Sequence, residues 1–323
     1  MRGHRSTGRA ARRGSALLTV LWLSAALATI GFSLATTIRG ETERTSTALD
    51  GLRSYYLAAA GVDRAAVEIL WGVQNPSARR IPEHAPSVSY HFASGEVFVE
   101  FIPETAKLNV NIAGLEDLIR LGIALGLDGE RADALAQAIV QTRGAGGAHG
   151  GSAGGPSFQL RGASLQDIEE LFAVPGVTPE LFYGTYTPLQ DEGGRTRLVR
   201  RPGLADCLSV YALDAKVDVN TAPAAVLAAV GMDPSAIAAV LGRRKLSPIL
   251  PRELGDLAAG PAQGRLRVGG NSIVTVRATA RLRLDDGRLS SLRRTVAALV
   301  KYMPAGYDAP IHILRWYDTA WGD

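Results

Sequence analysis

Five histidines, one cysteine and scattered carboxylates are the groups in this 323-residue chain that could do acid–base, nucleophilic or metal chemistry. His4, His84, His91, His149 and His312 lie in unrelated surroundings, with no His-x-x-Glu-His and no paired-ligand spacing that would hold a metal on one helix face. No serine sits on a strand-to-helix elbow, and the glycine-rich stretch Gly144 to Gly155 lacks the Gly-Lys-Ser/Thr that cradles phosphates, so it reads as a surface loop. Cys207 is alone, so no internal disulfide can form, and a buried small apolar role is expected for it. No enzyme is expected. The one place where residue types and spacing point to chemistry is the peptide bond Gly14-Ser15, which follows Arg12-Arg13 and opens a long apolar run. A secretory signal would put its small residue on the far side of the apolar region, whereas here it lies on the near side.

The element that must position this bond is a helix. From Ser15 to Ile38 no residue is charged, and at the helical rise per residue such a run can cross a hydrocarbon core of about 30 Å. Arg2, Arg5, Arg9, Arg12 and Arg13 precede it with no acidic residue, which places the short amino-terminal end in the cytoplasm and everything after Ile38 outside. The net charge of +4 looks basic, but loss of residues 1 to 14 removes five arginines and no acid and leaves −1. Global charge therefore gives no support to a nucleic-acid partner. The helical spacing of Leu49, Leu52, Tyr56, Ala59, Ala60, Val67 and Leu70 continues the helix as a stem to Trp71, ended by Gly72, Asn75 and Pro76.

Beyond a proline-rich link, Ser87 to Ile102 alternates as a β hairpin with its turn at Ser94-Gly95. The phrase Ala106-Lys107-Leu108-Asn109-Val110-Asn111-Ile112-Ala113 then recurs as Ala215-Lys216-Val217-Asp218-Val219-Asn220-Thr221-Ala222, and each copy runs into an apolar-periodic helix that its asparagine could cap. Arg131 to Arg143 reads as helix. So does Ser164 to Phe172, from a cap at its start, with Val174-Pro175-Gly176-Val177-Thr178-Pro179-Glu180 turning into the next helix. Pro234 to Arg244 and Pro251 to Leu257 read likewise. Arg195 to Pro202 reads as a solvated basic loop and Leu204 to Leu213 as a strand. Alternation returns from Ser272 to Leu284 and from Ser291 to Lys301 around the turn Asp285-Asp286-Gly287-Arg288, and Ile311 to Tyr317 closes as a short strand. The expected fold is α+β: a long amino-terminal transmembrane and stem helix packed on an antiparallel sheet, with a large all-α domain inserted between sheet strands. The expected parts are a leader (1–14), helix and stem (15–75), sheet (87–105 with 270–323) and insert (106–269).

Gly14 between arginines and the helix opening Ser15-Ala16-Leu17-Leu18 resembles the leader of type IV pilin-like proteins. The resemblance implies a pilin-like sheet, cleavage between Gly14 and Ser15 by prepilin peptidase, and N-methylation of Ser15. Most pilins carry glutamate at the fifth mature position, and Thr19 stands there instead. A carboxylate inside the bilayer is kept only where it has a partner. Thr19, both Asn phrases, Val174 to Glu180, the closing Leu314-Arg315-Trp316 and their order resemble the K-type minor pseudopilins of type II secretion systems. That resemblance implies a subunit at the tip of a periplasmic pseudopilus that helps initiate filament assembly and export across the outer membrane. It also implies a single pass through the bacterial inner membrane. The implied partners are the other minor pseudopilins, the major pseudopilin, prepilin peptidase and the inner-membrane assembly platform. No catalytic residue and no cofactor is implied; calcium is left open, with no ligand residues assigned and Glu104 as the acidic residue before Lys107-Leu108-Asn109. Two alternatives stand beside it. One is a minor pilin of a type IV pilus-like system. The other is a membrane-anchored DNA-uptake receptor, because Val219 to Arg244 also resembles helix-hairpin-helix modules. Gly231-Met232-Asp233 and Pro175-Gly176-Val177-Thr178 lack the second glycine of such hairpins, and Asp233 would put a negative charge where a phosphate should sit, so no nucleic acid is expected.

Overall fold

The computed structural model describes residues 10–81, 85–144, 164–190, 193–212, 214–257, 260–269, 272–303 and 308–320. The glycine-rich stretch, His4, His84 and His149 lie outside the described residues. Two compact units are distinguished, residues 1–56 and residues 57–323.

In the first unit the chain is helical from Ala10, the start of α1 (Ala10–Gln74). Its apolar side chains, among them Leu17, Trp22, Leu27, Ile30 and Phe32, are exposed, and the helix is long and apolar enough to cross a membrane. Threonine hydroxyls inside it donate to carbonyls one turn back, as Thr29 does to Ala26 (2.8 Å) and Thr37 to Ser33 (3.0 Å). Such bonds satisfy the hydroxyls without water.

In the second unit the remainder of α1 buries Leu57, Ala58, Val62, Ala65 and Ala66, a stripe at helical spacing. It lies on a five-stranded antiparallel sheet of order β1 (Ser87–Phe92), β2 (Gly95–Pro103), β9 (Ile273–Leu282), β10 (Arg294–Tyr302) and β11 (Ile311–Tyr317). Val97, Val99, Val276, Ala278, Ala280, Val296 and Ala298 are fully buried, as alternation along β strands requires. Glu68 fixes the stem, accepting from the Tyr90 hydroxyl (2.8 Å) and from Arg64 Nε (3.1 Å), while the Arg64 guanidinium stacks over the Tyr90 ring. Burial and the Glu68 hydrogen bond push the Tyr90 phenol pKa well up. Close approach of helix to sheet is set by Gly61, where a Cβ would come 2.4 Å from Val97 Cγ1. Gly61→Leu is expected to cost about 1–3 kcal/mol by overpacking, read as a lower unfolding midpoint with the helix content unchanged. A midpoint equal to the parent's would show that the stem does not pack there.

β2 pairs antiparallel with β9, yet the chain between them builds a helical layer with its own core. In chain order this layer comprises β3 (Leu108–Asn109), α2 (Leu115–Ala124), α3 (Gly129–Gly144), α4 (Pro179–Tyr183), β4 (Thr185–Gln190), β5 (Thr196–Arg201), α5 (Leu204–Cys207), β6 (Leu208–Ser209), β7 (Val217–Asp218), α6 (Ala224–Ala229), α7 (Pro234–Leu246), α8 (Leu254–Leu257) and β8 (Leu266–Arg267). It is not purely helical. β3 pairs with β6 and β7 with β8, both parallel, and β4–β5 form an antiparallel ribbon. The ribbon overturns the reading of Arg195 to Pro202 as an irregular loop. Leu204 to Leu213 also differs from its expected strand: it opens with a turn of helix, because Asp206 accepts from the Gly203 N–H (2.9 Å) and starts α5, leaving two residues for β6. Ile168–Ala173 is 3₁₀ and begins from a cap at Asp167, which accepts from Glu169 N, and not from Ser164. Leu118, Leu121, Leu135, Ile139, Leu171, Phe182, Val226, Leu227, Val240 and Ile249 share one buried cluster, with Cys207 fully buried among them. Burial pushes the Cys207 thiol pKa well up, so it stays an inert apolar neighbour.

Candidate functional site

Ser15 and Gly14 fall within the first turns of α1, and Thr19 follows on the same helix with its hydroxyl donating to the Ala16 carbonyl (3.2 Å) and its side chain exposed. The hydroxyl is thus satisfied by the backbone, and the position carries no charge.

The two Asn phrases do something other than cap. Asn111 Nδ2 donates to the Leu165 carbonyl (2.9 Å) while its Oδ1 accepts from Leu165 N (2.8 Å). Asn220 treats Ile249 in the same way, at 3.0 and 2.8 Å. Each amide is thus a two-pronged clamp on the backbone of a distant segment. Helix α2 starts instead at Gly114, whose N–H is accepted by Asp117 (3.2 Å), and α6 starts after Pro223. The expectation of asparagine caps fails because an extended Asn side chain reaches across to a strand-like segment more readily than forward to its own helix.

Each phrase is also held from behind by an arginine at the end of the second helix of its pair. Arg143 of α3 donates to the carbonyls of Val110 and Ala113, and Arg244 of α7 to those of Val219 (3.2 Å) and Ala222 (2.8 Å). Burial lowers the pKa of both guanidinium groups. The sequence repeat therefore marks two copies of one unit: extended phrase, helix, hairpin, helix, arginine. At each hairpin a glycine takes positive φ, Gly126 and Gly231 both at 95°. Aspartates follow: Asp128 accepts from Arg131 N, and Asp233 caps α7 by accepting from Ser235 N (3.0 Å) and Ala236 N (2.9 Å). The bond from the Ser235 hydroxyl first, and then those backbone N–H bonds, hold Asp233 below the usual carboxylate range, so the α7 amides that could meet a phosphate already hold a carboxylate.

Two ion pairs tie these parts to other elements, and sequence reading did not single out either as a link. Asp117, buried on α2, accepts from Arg265 Nη2 (2.7 Å), and Arg265 also donates to the Ala215 carbonyl (3.2 Å), joining the first hairpin to the start of the second phrase. Arg315 on β11 bonds Asp167 and Glu169 (2.8 Å) and so joins the last strand of the sheet to the helical layer. Burial, the hydrogen bond that its protonated form donates to Asp167, and the Asp167 charge raise the Glu169 pKa. Asp167 is lowered in spite of burial, by bonds with Glu169 and by the Arg315 charge. The sign follows for each. Asp167, lowered on folding, stabilises above the ordinary carboxylate range and loses that contribution as pH falls. Glu169, raised on folding, opposes folding at neutral pH and is relieved as pH falls through its raised pKa. Asp167→Asn is thus expected to lower the neutral-pH urea midpoint more than Glu169→Gln, with the difference vanishing in acid; equal midpoints at pH 7 would refute the assignment. Both carboxylates are partly exposed, so the effect stays within about 1 kcal/mol.

Among the described residues no group of three or more His, Cys, Asp or Glu side chains could hold a metal ion.

No family model matches the chain, and no curated protein matches it. Among solved structures it matches a chain of the crystal structure of the GspK-GspI-GspJ complex from the type 2 secretion system of enterotoxigenic Escherichia coli. The TM-score is 0.52 at 15% identity, and the match covers 86% of this chain and 100% of that chain. The long apolar helix, the antiparallel sheet and the helical layer between β2 and β9 thus form a pilin-like α+β fold shared with a subunit of that secretion complex.

Proposed function

We propose that this chain is a minor pseudopilin of a type II secretion system, seated at the tip of the periplasmic pseudopilus, where it helps initiate filament assembly and export across the outer membrane. The observation that carries the reading is the helical layer emitted between the adjacent strands β2 and β9. A body of that size on a pilin-like sheet leaves room for subunits below it and none above. Thr19 supports the same position: a tip subunit has no neighbour above whose amino terminus a buried carboxylate would pair with. In this reading the parts are leader 1–14, helix and stem 15–75, sheet 87–105 with 270–323, and insert 106–269. The chain crosses the inner membrane once with its soluble part periplasmic. It meets prepilin peptidase and the inner-membrane platform during assembly, and its helix packs with those of the other minor pseudopilins and the major pseudopilin. Intact-mass and amino-terminal peptide analysis of protein recovered from membranes tests this directly. The expected terminus is Ser15 bearing an N-methyl group, and a terminus at Met1 or beyond the apolar run would refute it.

A further inference from the structure

Between the outward face of the sheet and the helical layer, within the second unit, lies a cleft of about 1050 Å³. Its apolar walls include Tyr183, Pro248 and Tyr317, with the buried Phe182 ring behind Tyr183. Most of its charged lining is already matched. Glu100 receives two bonds from Arg277 (2.8 and 2.9 Å), Asp206 two from Arg200 (3.1 and 2.8 Å), Glu169 bonds Arg315, and Lys107 lies 3.4 Å from Glu104. Arg244 and Lys245 also line it, and neither has an ion-pair partner among the described residues.

Arg244 differs from its counterpart in the first hairpin in one respect. Arg143 spends both terminal nitrogens, Nη1 on Val110 and Nη2 on Ala113. Arg244 meets both of its carbonyls through Nη1, which leaves Nη2 and Nε with no hydrogen bond among the described residues. Basic residues in the last turn of a helix ordinarily serve that helix's own carbonyls. Arg244 instead serves Val219 and Ala222 and turns its spare donors elsewhere, while Arg243 takes the local role on the Ser247 carbonyl (2.9 Å).

We propose that this cleft is a docking site for an extended peptide segment of a partner polypeptide carrying carboxylate side chains. Arg244 and Lys245 receive the carboxylates, and Tyr183, Pro248 and Tyr317 receive the apolar side chains between them. Charge complementarity selects an acidic ligand: every carboxylate in the lining has its own partner, while Lys245 has none among the described residues and Arg244 meets only the charge of Asp218 and keeps two donors unspent. Size selects a chain segment over a small anion, because the volume is at the upper end of small-molecule sites and a lone carboxylate would leave the aromatic walls uncovered. The inference does not depend on the pseudopilin reading.

The test uses the full chain in detergent and a dansyl-labelled hexapeptide of alternating glutamate and leucine, with its glutamine counterpart as control, read by fluorescence anisotropy. The glutamate peptide is expected to bind at least about 10-fold more tightly, the size of one charge-assisted contact. Lys245 is exposed, so Lys245→Glu should fold normally and abolish that preference. The milder Lys245→Gln should reduce it to about a third with the thermal midpoint nearly unchanged, because Lys245 holds no other part of the fold. Equal affinity for the two peptides overturns the proposal, as does a Lys245→Glu variant that binds like the parent. Displacement by inorganic phosphate at concentrations comparable to the peptide would make it a simple anion site, and displacement by phosphatidylglycerol vesicles a lipid site; either refutes a peptide ligand.

Discussion

Gly14→Leu is expected to leave the chain with residues 1 to 14 attached, and to abolish the mature form nearly completely. The bond at issue joins a basic segment to a helix whose first residues, Ser15, Ala16, Leu17 and Leu18, open a run long and apolar enough to cross a bilayer. A protease working at that boundary must bring its catalytic groups against a backbone that runs, after Ser15 alone, into an apolar helix. A residue with no Cβ before the scissile bond permits that approach, and a branched side chain fills the space. The consequence reaches beyond the cut. In the pseudopilin reading the retained leader holds Arg2, Arg5, Arg9, Arg12 and Arg13 on the cytoplasmic side, and drawing even one arginine through the bilayer centre costs about 2.5–3.5 kcal/mol or more. An uncut chain is therefore pinned in the membrane and unable to rise with a filament. Immunoblots of membrane fractions should show only the longer species, with intact mass placing the terminus at Met1. Normal-length protein in this variant would sink the pseudopilin reading while leaving the fold untouched.

The outline of the molecule was legible because its parts have different periods. An uncharged run, a 3.6-residue stripe and two-residue alternation are written along the chain, and α1, β2, β9, β10 and β11 appear where those patterns stand. The duplicated Asn phrase was legible as a repeat, but its work was not. A side-chain amide can cap, turn or clamp, and which it does depends on what the fold brings opposite: Leu165 for Asn111 and Ile249 for Asn220. The arginines were harder. Arg143, Arg244, Arg265 and Arg315 read on the page as the polar ends of amphipathic segments, and each becomes a tie only through a partner far along the chain. A repeated order of Asn phrase, helix pair and terminal arginine was the available signal for the first two. The β4–β5 ribbon escaped for the opposite reason. Its residues are almost all exposed, so no alternation of apolar and polar marks it, and Arg200 holds its base through the Tyr183 carbonyl (3.1 Å) and Asp206.

Asn111→Leu and Asn220→Leu are expected to be the most destabilising single changes in the helical layer, each lowering stability by about 2–5 kcal/mol. Leucine matches asparagine roughly in size, so packing alone predicts a small effect or even a gain. The cost comes from the other side of the clamp. Leu165 and Ile249 are buried, and losing the amide strands one N–H and one C=O at each; an unpaired buried polar group costs about 1–3 kcal/mol. Asn→Asp separates the two prongs. The carboxylate still accepts from the N–H but faces the carbonyl with no donor and adds a half-buried charge, so it should also be damaging near neutral pH and recover partly in acid, when the protonated carboxyl can donate. Asn109 supplies the internal control. Its amide also bonds backbone, accepting from Asn111 N (2.8 Å) and donating to the Ala212 carbonyl (2.6 Å), but its two contacts serve different segments, so Asn109→Asp should lose only the second. The double variant at 111 and 220 tests whether the repeat is one cooperative body. Both clamps close on a single buried cluster that runs through both hairpins, so the layer should unfold in one transition and the second substitution should cost less than the first once that transition is crossed. Two separate urea transitions, each moved by only one of the asparagines, would mean that the hairpins fold independently and that the shared core does not bind them into a unit.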